Sequence, residues 1–447
     1  MWTSLRDAGR ILPAVAGTQI VVNFITIFYN MTKNPLVQAS FGLFFSYHLI
    51  FVIAIQVSLT EKLGIALSVE YGKKNFYNCR RIFTQGILTV LLVYLFLSMP
   101  LTLFSEKVFL FIGIAPENAA MVQSANNWMA FTVIVQMANE LVKSFCLAQG
   151  QEELIGYVGL GSNLVWVICL YFTIVKLEYG LMAYVMTRFL VGCAEMVVNM
   201  WIMLNRTSSQ TQGLVSFQEA MVGFSPFFID SIKFAVGTYS EYLGYEISTF
   251  FVASLQNNNK LSAYTALLSI TGLGYCLGLA FAVALRTRAN VLIGLGKSKT
   301  ARNYYVFYCP TLVVIGLPFM FSLFYWSDTV AQVYASSNSE MKAQFAGLIR
   351  VYAVWFGLDL SWHSVCSGLR MTGQVDKLIM LSFVFMVFFN MVSGFLCTFF
   401  NLGPVFIFMG LLACAFGLLS RSFLGTISGD WSVSKQTVQV AGYEFEA

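Results

Sequence analysis

Charged side chains are scarce in this sequence. Asp, Glu, Lys and Arg make up 11% of its 447 residues, whereas a soluble domain carries about 25%. Hydrophobic residues make up 58%, and the mean hydropathy is +0.72. This shortage of charge excludes an ordinary soluble enzyme and indicates a chain that crosses a membrane several times. The apolar runs are continuous over about 20 residues, which favours helices over barrel strands of about ten.

Motifs for enzymatic or metal chemistry are also missing. The nine cysteines have no paired spacing that would indicate a disulfide framework or a metal site. Gly294-Leu295-Gly296-Lys297-Ser298 lacks the full spacing of a phosphate loop and the strand that precedes one. There is no catalytic triad and no nucleotide-binding motif. We therefore expect no enzymatic activity, no metal, no cofactor and no nucleic-acid partner.

The long apolar runs predict an all-α integral membrane protein with about twelve spanning helices. The predicted spans are residues 11–31, 37–69, 84–105, 125–147, 154–175, 180–203, 221–255, 262–287, 303–326, 346–369, 377–399 and 402–424.

Successive spans end on alternate sides of the membrane, and Lys and Arg are unevenly distributed between these two sides. Sixteen of the 26 lie on the side that contains both ends of the chain, and six lie on the other side. Positively charged loops remain in the cytoplasm, so both termini are predicted to be cytoplasmic.

The two halves of the chain repeat their glycine landmarks. Gly72 and Gly296 are 224 residues apart, while Gly150 and Gly373, like Gly180 and Gly403, are 223 apart. This predicts two six-helix bundles related by a pseudo-twofold axis along the membrane normal, with a ligand site between them. The predicted domains are 1–203 and 204–424, followed by a short cytoplasmic tail, 425–447.

Two carboxylates, Glu241 and Glu246, interrupt the seventh apolar run. On a helix their side chains diverge by roughly 140°. A charged group near the bilayer centre costs several kcal/mol unless it faces a wet cavity or a partner. We therefore expect at least one of the two to serve the function of the protein.

Five segments in this order resemble the multidrug and toxic compound extrusion (MATE) transporters of eukaryotes. Residues 241–246 resemble the Glu-aromatic-x-x-aromatic-Glu motif of the seventh helix in that family, and Asp359 precedes Gly368-Leu369-Arg370 at the family's spacing. The other three segments are Gly64 to Gly72, Ala148-Gln149-Gly150-Gln151, and Gly278 to Ala284 with Arg288 and Gly294-Leu295-Gly296.

The resemblance implies two bundles around a central cavity that opens to one side of the membrane at a time. It implies export of small organic, often cationic, compounds in exchange for protons or sodium ions. It also nominates Glu241, Glu246 and Asp359 as the carboxylates that bind the coupling cation or the substrate. We expect a monomer in the plasma membrane or in an endomembrane such as the vacuole.

Other side chains near these carboxylates are candidates for supporting roles. Tyr242 and Tyr245 could hold an organic cation, because an aromatic face attracts positive charge. His363 lies one helical turn after Asp359 and could form a proton-sensitive hydrogen bond with it.

Further charges within the predicted spans are interpreted as structural pairs. Glu140 and Lys143 are three residues apart and can neutralise each other on one helix face, and so can Asp230 and Lys233. Arg188 and Glu195 share a face but are too far apart for a direct pair.

The sequence departs from the family pattern at Gly64, Val69, Lys233 and Val291, which leaves substrate range and coupling ion open. Two other functions remain possible at this point. One is a lipid-linked oligosaccharide flippase of the same superfamily, which would need a strongly basic cavity. The other is a membrane scaffold or receptor that transports nothing.

The distribution of Lys and Arg predicts that tags at Met1 and Ala447 are both accessible from the cytoplasm. Antibody labelling before and after selective permeabilisation of the plasma membrane measures this. Labelling of either tag on intact cells would contradict the predicted orientation.

Overall fold

The computed structural model describes residues 35–111, 116–255, 257–294, 297–334 and 339–431, together with Val21, Phe24, Ile25, Phe28 and Tyr29. A few side chains within these ranges, among them those of Glu241 and Tyr242, lie outside the described part of the chain. The predicted span 11–31 lies mostly outside the described residues.

The described residues form helices and no β-strand, and they divide into two compact units that meet in sequence between Tyr239 and Ser240. We call the described residues from Val21 to Tyr239 the first unit and those from Ser240 onward the second unit. The helices up to this boundary are α1 (Pro35–His48), α2 (Ala54–Gly72), α3 (Phe76–Val93), α4 (Met99–Leu103), α5 (Ser105–Phe111), α6 (Pro116–Ala148), α7 (Glu152–Leu170), α8 (Leu181–Arg206) and α9 (Phe217–Met221).

Helix α10 (Phe224–Ser254) crosses the boundary, and its second half belongs to the second unit. The remaining helices are α11 (Asn258–Gly294), α12 (Ser298–Tyr325), α13 (Ser327–Tyr334), α14 (Ser339–Met371), α15 (Val375–Ser382), α16 (Asn390–Phe399) and α17 (Pro404–Ile427). Four π-helical turns continue helices without a break, at Leu49–Ile53, Tyr94–Ser98, Tyr171–Lys176 and Phe383–Phe389.

Nine helices within the described residues are long and apolar enough to cross a membrane. They coincide with nine of the predicted spans. The predicted seventh and tenth spans coincide with α10, of 31 residues, and α14, of 33 residues. The exact number of twelve remains a prediction.

The two units place corresponding helices at their centres. In the first unit α6 packs against α8 and α2, and in the second α14 packs against α11, α12 and α17. Helices α6 and α14 both have 33 residues, and their bounds differ by the interval that separates Gly150 from Gly373. The helix pattern therefore follows the repeat that the glycines indicate.

The connector between α8 and α10 is hydrogen-bonded to the first unit. The Gln149 side chain accepts a hydrogen bond from the backbone N–H of Ser208 at 3.1 Å. The Gln85 amide donates to the carbonyls of Ala220 at 2.9 Å and Val222 at 3.0 Å. These bonds explain why the compact unit extends beyond the predicted domain end at residue 203. The boundaries of the two repeats remain predictions.

Close packing of α12 against α14 depends on two glycines. A Cβ atom on Gly316 would lie 2.6 Å from the Cα of Gly357, and one on Gly357 would lie 3.0 Å from the carbonyl oxygen of Val313. Small residues allow helix backbones to approach in this way within membranes. Gly357 lies two residues before Asp359, so this contact holds α14 in place next to the carboxyl group.

We predict that Gly316→Ala lowers the free energy of unfolding by about 1–3 kcal/mol, because the added methyl group forces two backbones apart. The matched control is Gly347→Ala on α14, where the new Cβ would meet Val405 at an ordinary 3.7 Å. The control should retain the wild-type melting temperature or exceed it, since alanine favours helix formation. Thermal unfolding followed by size-exclusion chromatography measures both. Equal melting temperatures for the two variants would show that the contact is not tight.

Candidate functional site

Asp359 is buried near the middle of α14, with 4% of its surface exposed. Tyr352 lies two helical turns earlier on the same face, and its hydroxyl donates a hydrogen bond of 2.7 Å to Asp359 Oδ2. The indole N–H of Trp355, one turn earlier, approaches the same carboxyl group without forming a hydrogen bond to it. Among the described residues, no Lys or Arg forms an ion pair with Asp359.

Two glycines of α11 bring that helix against the carboxyl group. A Cβ atom on Gly274 would overlap Tyr352 Oη and Asp359 Oδ2, and one on Gly278 would lie 3.0 Å from the Asp359 carbonyl oxygen. The pair has the Gly-x-x-x-Gly spacing that favours close approach of helices in membranes. Sequence reasoning missed Gly274 and Tyr352, although this spacing was a signal for the first of them.

His363 is buried one turn after Asp359, but the hydrogen bond expected between the two is not formed. Its Nε2 atom has no hydrogen-bond partner among the described residues. The ring of Tyr275 packs edge-on against the imidazole, with centroids 4.2 Å apart. Arg286 and Arg370 act on the imidazole electrostatically. His363 therefore belongs to the surroundings of Asp359 without contacting its carboxyl group through a hydrogen bond.

Glu246 is buried in the second half of α10 with 2% of its surface exposed, and it interacts electrostatically with Tyr264 of α11. Its neighbour Tyr245 interacts in the same way with Tyr352. The structure therefore places Glu246, Tyr245 and Asp359 in the interior of the second unit. The side chains of Glu241 and Tyr242 lie outside the described residues, although both positions are helical.

Hydrogen bonds to Asn390, at the start of α16, hold α10 in place beside Glu246. The Asn390 amide donates to the carbonyl of Gly244 at 2.6 Å, and Ser248 donates to Asn390 Oδ1 at 3.2 Å. A Cβ atom on Gly244 would lie 2.8 Å from the carbonyl oxygen of Met386. Glycine at position 244, between the two candidate carboxylates, is therefore needed for packing.

The first unit contains a different arrangement of buried charge. The predicted pair is confirmed, since Lys143 Nζ lies 2.9 Å from Glu140 Oε1. Lys143 also lies 2.7 Å from Oε1 of Glu195, a partner on α8 that helical spacing does not reveal. The buried Glu195 and the partly exposed Glu140 are therefore both neutralised by a lysine of the protein itself.

The second predicted pair in this unit is wrong. Lys233 is exposed, and Asp230 interacts electrostatically with Lys62 of α2. Helical spacing places Asp230 and Lys233 on one face, but packing brings α2 closer to the carboxylate.

Within the described residues, no group of three His, Cys, Asp or Glu side chains is placed to hold a metal ion.

A sequence model of the MatE family matches residues 14–172 and again residues 234–396. The two matches cover well over half of the chain and fall one in each half, as the glycine repeat predicts. No curated protein sequence matches the chain.

Solved structures share the fold over nearly the whole chain. The eukaryotic MATE transporter AtDTX14 matches with a TM-score of 0.84 at 16% identity, covering 97% of this chain and 96% of that one. The outward-facing conformation of a multidrug resistance MATE family transporter matches with a TM-score of 0.81 at 13% identity, over 95% of both chains. The inward-facing conformation of such a transporter matches with a TM-score of 0.76 at 13% identity, over 95% of this chain and 96% of that one.

These structural neighbours include both the outward-facing and the inward-facing conformation that alternating access requires. At such identities the likeness establishes the fold. Together with the two sequence matches it leads to one conclusion: the chain belongs to the MatE family and is a multi-pass membrane protein with the fold of the MATE efflux transporters.

Proposed function

We propose that this protein is a secondary active antiporter that exports organic, often cationic, compounds in exchange for protons or sodium ions. The observation that carries the proposal is the environment of Asp359. Its carboxyl group is buried in a membrane protein, accepts a hydrogen bond from Tyr352, and has no cationic partner among the described residues.

Such a carboxyl group is costly when it is charged and alone. A bare charge within a membrane destabilises the protein by several kcal/mol, and one neutral donor compensates only part of this cost. A carboxylate offers about four acceptor positions, and Tyr352 occupies one of them. A proton or a metal cation on the remaining positions would neutralise the charge, which is the step that a coupling ion must perform.

Exchange requires that the coupling ion and the substrate bind alternately. A ligand shifts a conformational equilibrium only through different affinities for the two states. A shared carboxylate provides this coupling simply, because one negative charge within the membrane accommodates one positive charge at a time. We assign this role to Asp359, Glu241 and Glu246.

Aromatic side chains beside these carboxylates support a preference for organic cations. Tyr245 is near Tyr352 and therefore near Asp359, and the face of a tyrosine ring attracts a positive charge. Tyr242 is assigned the same role from the motif. The flippase alternative has less support, because the candidate groups of the second unit are acidic.

We predict that Asp359→Asn reduces gradient-driven export to the level of vesicles that lack the protein. The amide keeps the shape of the carboxyl group and can still accept from Tyr352, but it cannot take up a cation. Uptake of a fluorescent organic cation into everted vesicles with an imposed pH gradient measures this, with the protein quantified in the membrane.

The matched control is Asp376→Asn, which removes an exposed carboxylate at the start of α15 in the same unit. Export by this control should equal wild-type export. Wild-type rates in Asp359→Asn at equal protein amount would remove Asp359 from the mechanism.

We predict the same loss for Glu241→Gln and Glu246→Gln, with folding retained, because each substitution removes one negative charge without a change of volume. The same vesicle assay measures both, and size-exclusion profiles check the fold. Full export in both variants would exclude the two glutamates from cation coupling and leave Asp359 as the coupling carboxylate.

A further inference from the structure

Arg188 is a cation within the first unit that the cation-coupling site does not use. It lies seven residues after the start of α8, about 10 Å along the helix, within a candidate membrane span. Its side chain is half-buried. A charged residue at such a depth is costly and commonly marks a substrate or ion pathway.

The guanidinium group forms no hydrogen bond and no ion pair with any residue that the structure describes. It packs over the ring of Trp166, 4.6 Å from the ring centroid. That ring is buried, and its indole N–H donates to Thr187 Oγ1 at 3.1 Å. The stacked ring therefore holds the guanidinium plane in place and leaves the N–H groups on its edges without acceptors in the part of the chain that the structure describes.

The nearest acid does not satisfy these N–H groups. Glu195, two turns further along α8, acts on Arg188 electrostatically. Its Oε1 atom already accepts from Lys143 at 2.7 Å, and the carboxylate also interacts with Asn139. Glu195 thus balances part of the charge while its oxygens are directed to other donors.

A second polar group without a partner lies beside Arg188. His48 of α1 is 1% exposed and interacts electrostatically with Arg188. Its Nε2 atom has no hydrogen-bond partner among the described residues. Tyr184 of α8 is buried and also interacts electrostatically with Arg188. Two buried or half-buried nitrogen-bearing side chains therefore lie together, and neither the guanidinium group nor His48 Nε2 forms a hydrogen bond with a described residue.

A purely structural role explains this arrangement less well. Stacking on a tryptophan uses the face of a guanidinium group, and an arginine has five N–H donors on its edges. N–H donors that lack acceptors in a bilayer destabilise the protein, and stacking alone does not offset this cost in free energy. The planar fork of arginine matches the two oxygens of a carboxylate.

We propose that Arg188, stacked on Trp166 and flanked by His48, binds an oxyanion, and that this oxyanion is the carboxylate of a transported organic compound. This assignment rests on the proposed export function and narrows its substrate class. Arg188 would hold the anionic group within the first unit, while the acids of the second unit handle the coupling cation. A substrate that carries a carboxylate in addition to a positive charge is then favoured over one that is purely cationic.

Equilibrium binding of two xanthene dyes tests the proposal. Fluorescein carries a carboxylate and rhodamine 123 is a cation of similar size. The purified full chain, in nanodiscs of phosphatidylcholine, is titrated against each dye and binding is followed by fluorescence anisotropy. Fluorescein should bind saturably to the wild type, and Arg188→Gln should weaken this binding on the order of tenfold or more.

Two further variants separate the effect of the Arg188 side chain on dye binding from a general effect of losing an arginine. Arg188→Lys keeps the charge but loses the planar fork, so its affinity for fluorescein should lie between those of the wild type and Arg188→Gln. Arg206→Gln is the matched control, because Arg206 stacks on Trp201 at the other end of α8 with 6.0 Å to the ring centroid. It should bind fluorescein as the wild type does. The affinity for rhodamine 123 should be similar in all four proteins.

The proposal is wrong if the wild type shows no saturable fluorescein binding, or if Arg188→Gln and Arg206→Gln both bind as the wild type does. A lipid headgroup is the other source of an oxyanion, and nanodiscs containing phosphatidylglycerol test it. If this lipid weakens fluorescein binding in the wild type but not in Arg188→Gln, the site holds lipid and the substrate assignment is wrong. Because binding is measured without a gradient, a failure of cation coupling does not affect the result.

Discussion

The hydrogen bond from Tyr352 to Asp359 is the interaction on which the interior of the second unit depends. A carboxyl group can remain in this apolar interior only if a donor reaches it and if no bulkier residue displaces it. Both groups are on α14, which packs against α11, α12 and α17. Glycines on α11 and α12 allow these helices to approach closely enough to enclose the carboxyl group. Close helix packing and the buried acid are therefore parts of one arrangement.

The two units have the same helix pattern but treat buried acids differently. In the first unit Lys143 contacts both Glu140 and Glu195, so a cation belonging to the chain occupies the position between them. In the second unit Asp359 has no such cation among the described residues. The helix repeat thus contains one half with an internal counter-ion beside its acids and one half whose central acid has none among the described residues.

Much of this was predictable from sequence because the strongest signals are local or periodic. Hydropathy located nine spans that the structure contains, the glycine interval indicated the repeat, and the spacing before Leu369 nominated Asp359, which the structure places in the interior of the second unit. The partners of buried charges were not predictable where they come from another helix. Glu195 as a partner of Lys143, and Lys62 as the neighbour of Asp230, depend on which helices pack together. Helical spacing reports only neighbours within one helix, and it therefore gave Asp230 the wrong partner.

Gly274 has a consequence for inherited variation. A Cβ atom at this position would overlap Tyr352 Oη and Asp359 Oδ2, the two atoms that form the central hydrogen bond, so this bond would have to shift. A nucleotide change that converts this codon to alanine would thus keep every acidic residue of the chain and displace the hydrogen bond of the central one. A survey of alleles that counts only lost carboxylates would classify such a chain as functional.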